Sequence, residues 1–296
     1  MPKDILKEKA LVEKYLKKHE HSLAAFSFVN IFIWQDYFAF DVRELDGNLC
    51  VFAKNIVGEF LYLPPLGNSI SPKAVEVSFE RMRKNNKNSG VSRIENFADT
   101  TLFDVNQYKI YKKSEDYIYL SSDIADLKGN AYKSKRSSCN QFVKNNNYEL
   151  ASYEDSMRGE CLALYQKWAR GRKSSYSDGV YQQMIDENEK VHSLVFDYHQ
   201  ELNMFSRVVL IAGRIEGYTF GYEINKDMFC ILLEVTNLKI NGLATFIFSS
   251  TCQLLGKKYK YINAMDDFGM DNIKKVKMSF HPVKLLPAYN MTESKC

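Results

Sequence analysis

The segment 127–147 brings together side chains that can bind an anion. It holds five Lys or Arg residues and no acidic residue. If 131–144 is a helix, residues four apart share a face, and Tyr132, Arg136 and Asn140 then form a polar stripe with Lys135 beside it. A packing helix would place Leu or Ile at such positions. The two cations suit a phosphate or carboxylate, although a solvated basic surface gives the same pattern, and Tyr132 fits either an oxyanion contact or the core.

Two carboxylates and one lysine nearer the C-terminus are further candidates. Asp267, in the loop 266–269, can orient or deprotonate an amine, although Asp is also typical of turns. Lys277 belongs to a basic helix whose charge also suits solvent. Glu234 follows the apolar strand 230–233, where it faces either a ligand or water. Acyl transfer needs such groups, because it requires oxyanion donors and a base.

Other chemistry is less well supported. The six cysteines are scattered without metal-type spacing, which indicates reduced thiols in a cytoplasmic protein. His192 and His199 lack carboxylates that would complete a metal set, so no metal is expected. There is no G-x-S-x-G motif and no Cys beside a His, and we therefore expect no covalent intermediate.

Composition sets the broad class. The chain has 296 residues, 45% of them hydrophobic and 26% charged, which is ordinary for a globular protein. A net charge of +4 is too small for a dedicated DNA-binding module. The most apolar stretch, 26–40, is interrupted by polar residues and too short to cross a bilayer. We expect a soluble protein that would meet any lipid substrate at a membrane surface.

A pattern of elements occurs twice along the chain. Hairpin, strand, glycine-containing loop, helix and strand follow one another over 38–97 and again over 207–264. This indicates an α/β (α+β) fold with two similar halves, 1–115 and 116–296, each a mixed sheet with flanking helices. The basic segment 127–147 would begin the second half, which carries the candidate residues. A polar basic loop is predicted at 171–179.

This repeat resembles the tandem GNAT arrangement of the Fem-type aminoacyltransferases and of the catalytic domain of phosphatidylglycerol lysyltransferases. The segment FSFVNIFIWQDY (26–37) is similar to an aromatic-rich segment of the latter family. Two further elements of that family have counterparts in this sequence. The element G-x-x-Y/F-x-x-K/R-R-x-x-x-N-x-F is similar to the stretch that holds Gly129, Tyr132, Lys135, Arg136, Asn140 and Phe142. The element N-x-x-x-D-x-G…K-x-x-x-x-P is similar to the stretch that holds Asn263, Asp267, Gly269, Lys277 and Pro282. The resemblance extends to soluble relatives of unassigned function.

Two departures from the family limit what the resemblance implies. The lysyltransferases carry a membrane-embedded flippase region that this sequence does not contain, so aminoacylation of a membrane lipid does not follow. An acetyl-CoA-dependent GNAT would have a glycine-rich phosphate loop at a helix N-terminus. The loop 235–243 has one glycine, which favours a donor such as aminoacyl-tRNA or a loss of catalysis.

The resemblance implies an acyl- or aminoacyltransferase acting on an amine or hydroxyl of a lipid head group, peptide or small molecule. The alternatives are a non-catalytic ligand-binding protein and an acetyl-CoA-dependent N-acetyltransferase. No resident cofactor is expected, with acyl-CoA or aminoacyl-tRNA as candidate donor substrates. The residues expected to form one cleft are Asp267 and Lys277 as catalytic groups and Tyr132, Lys135, Arg136, Asn140 and Glu234 as substrate-binding groups.

Overall fold

The structure, a computed structural model, describes residues 3–294. Its α-helices are α1 (Lys3–Leu6), α2 (Lys9–Leu16), α3 (Phe28–Ile33), α4 (Pro72–Asn85), α5 (Ser121–Asp126), α6 (Lys133–Asn145), α7 (Arg158–Ser175), α8 (Gly179–Tyr198), α9 (Leu243–Leu255) and α10 (Asp271–Met278). Its strands are β1 (Ala39–Leu45), β2 (Asn48–Lys54), β3 (Glu59–Leu61), β4 (Ile94–Phe97), β5 (Tyr108–Leu120), β6 (Tyr148–Ala151), β7 (Phe205–Ile211), β8 (Arg214–Asn225), β9 (Met228–Thr236), β10 (Tyr261–Asn263) and β11 (Lys284–Glu293).

The chain divides into two compact units. The first comprises the described residues of Met1–Asp116 and Leu285–Cys296, and the second comprises Tyr117–Lys284. The sequence prediction divided the chain into 1–115 and 116–296. The C-terminal segment groups with the first unit, whereas the sequence prediction assigned it to the second half.

The first unit is a mixed sheet with the strand order β1-β2-β3-β4-β11, followed by the part of β5 that precedes Tyr117. Strands β1 and β2 form the hairpin predicted at Asp46 and Gly47, both of which have positive φ, at 46° and 77°. A two-residue hairpin turn of type I′ needs positive φ at both residues, because its twist then matches that of the two flanking strands. Helix α4 begins at Pro72, and the Ser71 side chain accepts a hydrogen bond from Ala74 N at 3.3 Å.

The second unit repeats this plan with the order β5-β10-β9-β8-β7-β6, β5 contributing Tyr117–Leu120. Strands β9 and β10 are parallel and are joined through α9. Helix α9 is apolar on nearly all sides because it packs on the sheet and also on α5 and α6. Helix α6, in contrast, is mostly polar and exposed, and Phe142 is its one buried residue.

Strands β9 and β10 separate soon after they pair. Their register covers Met228–Cys230 against Tyr261–Asn263, and β9 then continues to Thr236 while β10 ends. Beyond the last pair, β9 also departs from regular pairing with β8: Ile231 faces Gly221 and Leu233 faces Phe220, so Leu232 has no opposite residue. Such a bulge bends a strand and changes where its side chains point. An opening forms between the two strands at their carboxyl ends.

Two sequence predictions of local structure were wrong. The basic segment predicted as a loop at 171–179 is largely helical, because α7 continues to Ser175 through Gly171. A single glycine inside a helix costs about 1 kcal/mol, which a well-packed helix tolerates. The apolar segment 22–37, whose sequence predicts a buried helix running into a strand, contains the short α3 followed by turns. Its Ser27 side chain caps α3 by accepting from Asn30 N at 3.3 Å.

Gly242, which precedes α9, provides a test of this packing. Its φ is 84°, and a Cβ there would lie 2.1 Å from the carbonyl oxygen of Ser138 in α6. We expect Gly242→Ala to lower the free energy of unfolding by about 3 kcal/mol or more, since both backbone strain and a backbone clash are added. The measurement is urea denaturation followed by circular dichroism.

Gly213→Ala is the matched control. Gly213 also has a positive φ, 72°, but nothing lies within 4 Å of its added Cβ. Strain alone should cost roughly 1–2 kcal/mol. Equal losses in the two variants would show that α6 does not confine the start of α9.

Candidate functional site

A cavity of about 360 Å³ occupies the opening between β9 and β10 in the second unit. Side chains from β9, the residue after β10 and helices α7 to α10 line it. Most of its wall is apolar and aromatic, with Glu234 as its carboxyl group. Cavities of this size at the carboxyl ends of diverging strands commonly hold small ligands.

Glu234 lacks the partners that a buried carboxyl group normally has. Its Oε2 is buried without a hydrogen-bond partner among residues 3–294, while other atoms of the residue reach the cavity. Burial disfavours the charged form and raises the pKa of Glu234 to about 8. The register places Thr219 of β8 directly opposite, on the same face, and Thr219 Oγ1 is also buried without a partner in the described chain. Of these two residues, Glu234 lines the cavity and Thr219 lies behind it, fully buried.

The rest of the wall combines aromatic surface with cationic side chains. Trp168, Tyr119 and Phe248 present aromatic surface to the cavity. Aromatic faces attract ammonium groups and also pack against methylene groups. Arg172 approaches the Trp168 ring, with its guanidinium carbon 5.6 Å from the ring centroid, and adds a positive charge to the wall. The cavity wall therefore contains both the carboxyl group of Glu234 and the guanidinium group of Arg172.

Lys277 lines the cavity, and its amine is engaged in holding the neighbouring loop. Its Nζ donates to the carbonyl oxygens of Ala264 at 2.5 Å and Met265 at 3.2 Å, and also to that of Asp266. Tyr119 donates to the carbonyl oxygen of Lys277 at 2.9 Å. Lys277 therefore fixes the chain where it leaves β10.

Asp267 lies within this loop and outside the lining of the cavity. Tyr117 donates to its Oδ2 at 2.5 Å, and the Gly269 N–H donates to its Oδ1 at 2.9 Å. The second bond is the local turn contact that Asp commonly makes. Both carboxylate oxygens are thus occupied in shaping the loop.

Two of the candidate residues of α6 meet the cavity wall at Phe280. Tyr132 is buried and donates to the carbonyl oxygen of Phe280 at 2.9 Å. The Nζ of Lys135 lies 3.9 Å from the centroid of the Phe280 ring, and burial lowers the pKa of Lys135. Phe280 itself lines the cavity, so Tyr132 and Lys135 support its wall from behind.

The other two candidates in α6 face away from the cavity. Arg136 donates to the carbonyl oxygens of Leu127 and Gly129, the latter at 3.1 Å, and so holds the turn before the helix. Asn140 is exposed and lines a shallow outer groove with Lys133 and Lys144. The structure therefore brings Glu234 and Lys277 to one cavity and separates Arg136 and Asn140 from it.

The loop before α9 uses several of its amide groups internally. Lys239 N donates to Asn237 Oδ1 at 3.1 Å, and Ile240 N donates to the Asn237 carbonyl oxygen at 3.1 Å. Leu243 N donates to the carbonyl oxygen of Ile240 at 3.4 Å. A phosphate cradle requires free amides at this position. These three are committed to the chain itself, and Gly242 is closely packed against α6.

Sequence reasoning missed Trp168, Arg172 and Tyr176, which line the cavity together. They recur every four residues at the end of α7. That spacing was visible in the sequence, but the loop predicted at 171–179 concealed it.

Residues 3–294 contain neither a metal-binding cluster nor a membrane-spanning helix. No group of three or more His, Cys, Asp or Glu side chains within them is arranged to hold a metal ion. No helix among them has the length and apolar character needed to span a membrane.

The repeated sheets and the open β9–β10 pair define a tandem GNAT-like fold, as predicted, and neighbours of Fem and tandem GNAT type have it too. The chain belongs to the family described as phosphatidylglycerol lysyltransferase, C-terminal, whose model matches residues 17–292. This confirms the resemblance inferred from the sequence motifs.

Solved structures agree with this assignment. A conserved protein of unknown function from Bacteroides thetaiotaomicron VPI-5482 is 22% identical, with a TM-score of 0.86 over 98% of this chain and 97% of that one. L-PGS from Bacillus licheniformis is 16% identical, with a TM-score of 0.64 over 96% and 91%. FemX is 7% identical, with a TM-score of 0.62 over 95% of each chain. A search of curated proteins finds no match.

The pKa of Glu234 makes stability depend on pH. Below an ordinary carboxyl pKa of 4.5 both folded and unfolded states are protonated, and between 4.5 and about 8 only the folded state keeps the proton. Stability must therefore fall as pH rises through this window. Relative to Glu234→Gln, the native chain should lose roughly 2–4 kcal/mol between pH 5 and pH 8. Urea denaturation at several pH values measures the difference.

Glu149→Gln is the control for this comparison, because Glu149 is an exposed residue of β6. Its stability curve should run parallel to that of the native chain. If the Glu234→Gln curve also runs parallel, the Glu234 carboxyl group is not held in its neutral form.

Proposed function

We propose that this chain is an aminoacyltransferase whose cavity receives the amine-bearing part of the aminoacyl group. The observation that carries the proposal is Glu234, a carboxyl group that lines an apolar, aromatic cavity and whose Oε2 has no partner among the described residues. A buried acceptor without a donor costs stability, and a bound ligand that supplies the donor removes that cost. An ammonium group supplies three donors.

Binding of an ammonium group would change the protonation of Glu234. Near pH 7 the carboxyl is mainly neutral, because its pKa is about 8. A nearby positive charge favours the carboxylate and lowers that pKa. Ligand binding should then release about one proton.

The transfer step needs little covalent chemistry from the protein. The hydroxyl or amine of the acceptor attacks the ester carbonyl carbon, the ester C–O bond breaks, and the acceptor proton passes to the leaving oxygen. The bulge at Leu232 supports a role for its backbone N–H as oxyanion donor, because the residue has no opposite partner in β8 and lines the cavity.

Aminoacyl-tRNA is the donor that we favour over acyl-CoA. The internal bonds of the loop before α9 and the contact of Gly242 with α6 support this choice. The family description names a lysyltransferase of phosphatidylglycerol. We therefore take a lysyl or similar amine-bearing group as the first donor to test, with a lipid head-group hydroxyl as the first acceptor.

Positioning roles follow for the other candidate residues. Lys277 and Asp267 hold the loop after β10. Tyr132 and Lys135 support the side of Phe280 that faces away from the cavity. Arg136 fixes the turn before α6. Asn140 faces the outer groove, where contact with the tRNA backbone is the role consistent with its exposure.

The experiment supplies radiolabelled lysyl-, alanyl- or arginyl-tRNA with phosphatidylglycerol vesicles and measures labelled lipid. We expect transfer of an amine-bearing group, and a loss of about tenfold or more in Glu234→Gln because the ammonium loses its charged partner. Glu149→Gln should retain full activity. Calorimetry with lysine amide in buffers of different ionisation enthalpy should detect the released proton.

The alternative functions give distinct results in these assays. Ligand binding without labelled product from any donor and acceptor would indicate a non-catalytic binding protein. Acetylated product formed from acetyl-CoA would replace the proposed donor with a thioester.

Asp267→Asn separates direct catalysis from positioning. The amide oxygen of Asn can still accept from Gly269 N and keep the turn. We expect kcat to change by less than about threefold, whereas removal of an essential base typically costs at least a hundredfold. A loss of that size at an unchanged melting temperature would assign the base role to Asp267.

A further inference from the structure

The turn between β2 and β3 presents two apolar side chains to solvent. Ile56 is fully exposed and Val57 is 67% exposed. They are adjacent at the end of a hairpin, so they form a small projecting tip, defined here as residues 55–58. Isolated exposed apolar residues are common, but two together on a projecting turn call for a physical explanation.

The tip is held in one conformation by its own hydrogen bonds. Asn55 Oδ1 accepts from the N–H groups of Val57 at 2.9 Å and Gly58 at 3.3 Å, and Asn55 N donates to the Gly58 carbonyl oxygen at 3.0 Å. The side chain of Asn86 bonds both N and O of Glu59 at 2.7 Å. A fixed tip loses little conformational freedom when its apolar side chains are buried by a partner.

The surroundings of the tip are basic. Lys54 ends β2, Lys87 follows Asn86, and both are exposed. The segments 53–58 and 86–91 contain no acidic residue. Glu59 is buried and paired with Arg81 at 2.7 Å, so its charge is not presented to solvent.

We propose that the tip docks this chain on an anionic lipid surface, with Ile56 and Val57 in the interfacial layer and Lys54 and Lys87 against the head groups. Apolar side chains flanked by basic ones are the combination that binds such a surface. A protein partner fits less well, because a stable interface buries about 800 Å² on each side, far more than two side chains offer.

The test is co-sedimentation of the full chain with vesicles of phosphatidylglycerol or of phosphatidylcholine. We expect binding to the anionic vesicles that weakens as salt increases, and little binding to phosphatidylcholine. The double variant Ile56→Ser, Val57→Ser should bind about tenfold more weakly. Lys54→Gln with Lys87→Gln should weaken binding and reduce its dependence on salt.

Val180→Ser is the matched control, because Val180 is an exposed apolar residue of α8, in the second unit. It should bind anionic vesicles as the native chain does. Equal binding by the double tip variant, or no binding by the native chain, overturns the proposal. The proposal is also overturned if light scattering shows that the native chain self-associates and that the double tip variant does not, since the tip would then bind a second copy of the chain. Phosphatidylglycerol is also the acceptor proposed above, so the tip variants, which change only the first unit, distinguish docking by the tip from binding at the cavity.

Discussion

The second unit depends on the separation of two parallel strands. β9 and β10 pair over three residues each and then part. Continued pairing would fill the space that now forms the cavity, and the carboxyl group of Glu234 would have no opening beside it. The bulge at Leu232 and the closely packed Gly221 opposite Ile231 occur at the point of departure. Irregular pairing therefore creates the site, while the regular part of the sheet fixes its position.

A carboxyl group in such a place is unfavourable for folding alone. Glu234 is buried among apolar neighbours, and the described chain gives its Oε2 no donor. Burial of an ionised carboxylate costs several kcal/mol, and the neutral form avoids most of this at the expense of a raised pKa. The function proposed above assigns the missing donor to a bound ammonium group.

Much of the fold was predictable because it depends on local patterns. The turn at Asp46 and Gly47, the capped start of α4 and the repeated order of elements all have short-range signals. The end of α7 was not predicted, since Gly171 and the polar residues after it resemble a loop. Grouping of the C-terminal strand with the first unit was also missed, because it depends on pairing between residues far apart in sequence.

The site was harder to predict, since residue type does not determine what a side chain faces. Glu234 was selected as a carboxyl group at a strand end, and it lines the cavity, while its role as a ligand group stays a prediction. Lys277 and Arg136 were selected for their charge, but each donates to backbone carbonyl oxygens of nearby loops. Turns leave carbonyl groups without partners, and a long cationic side chain can satisfy several of them. A basic residue in a sequence motif is therefore as well suited to fixing a loop beside a site as to binding an anion. Only the positions of the neighbouring carbonyl groups distinguish the two roles, and these depend on how the loop after β10 and the turn before α6 fold.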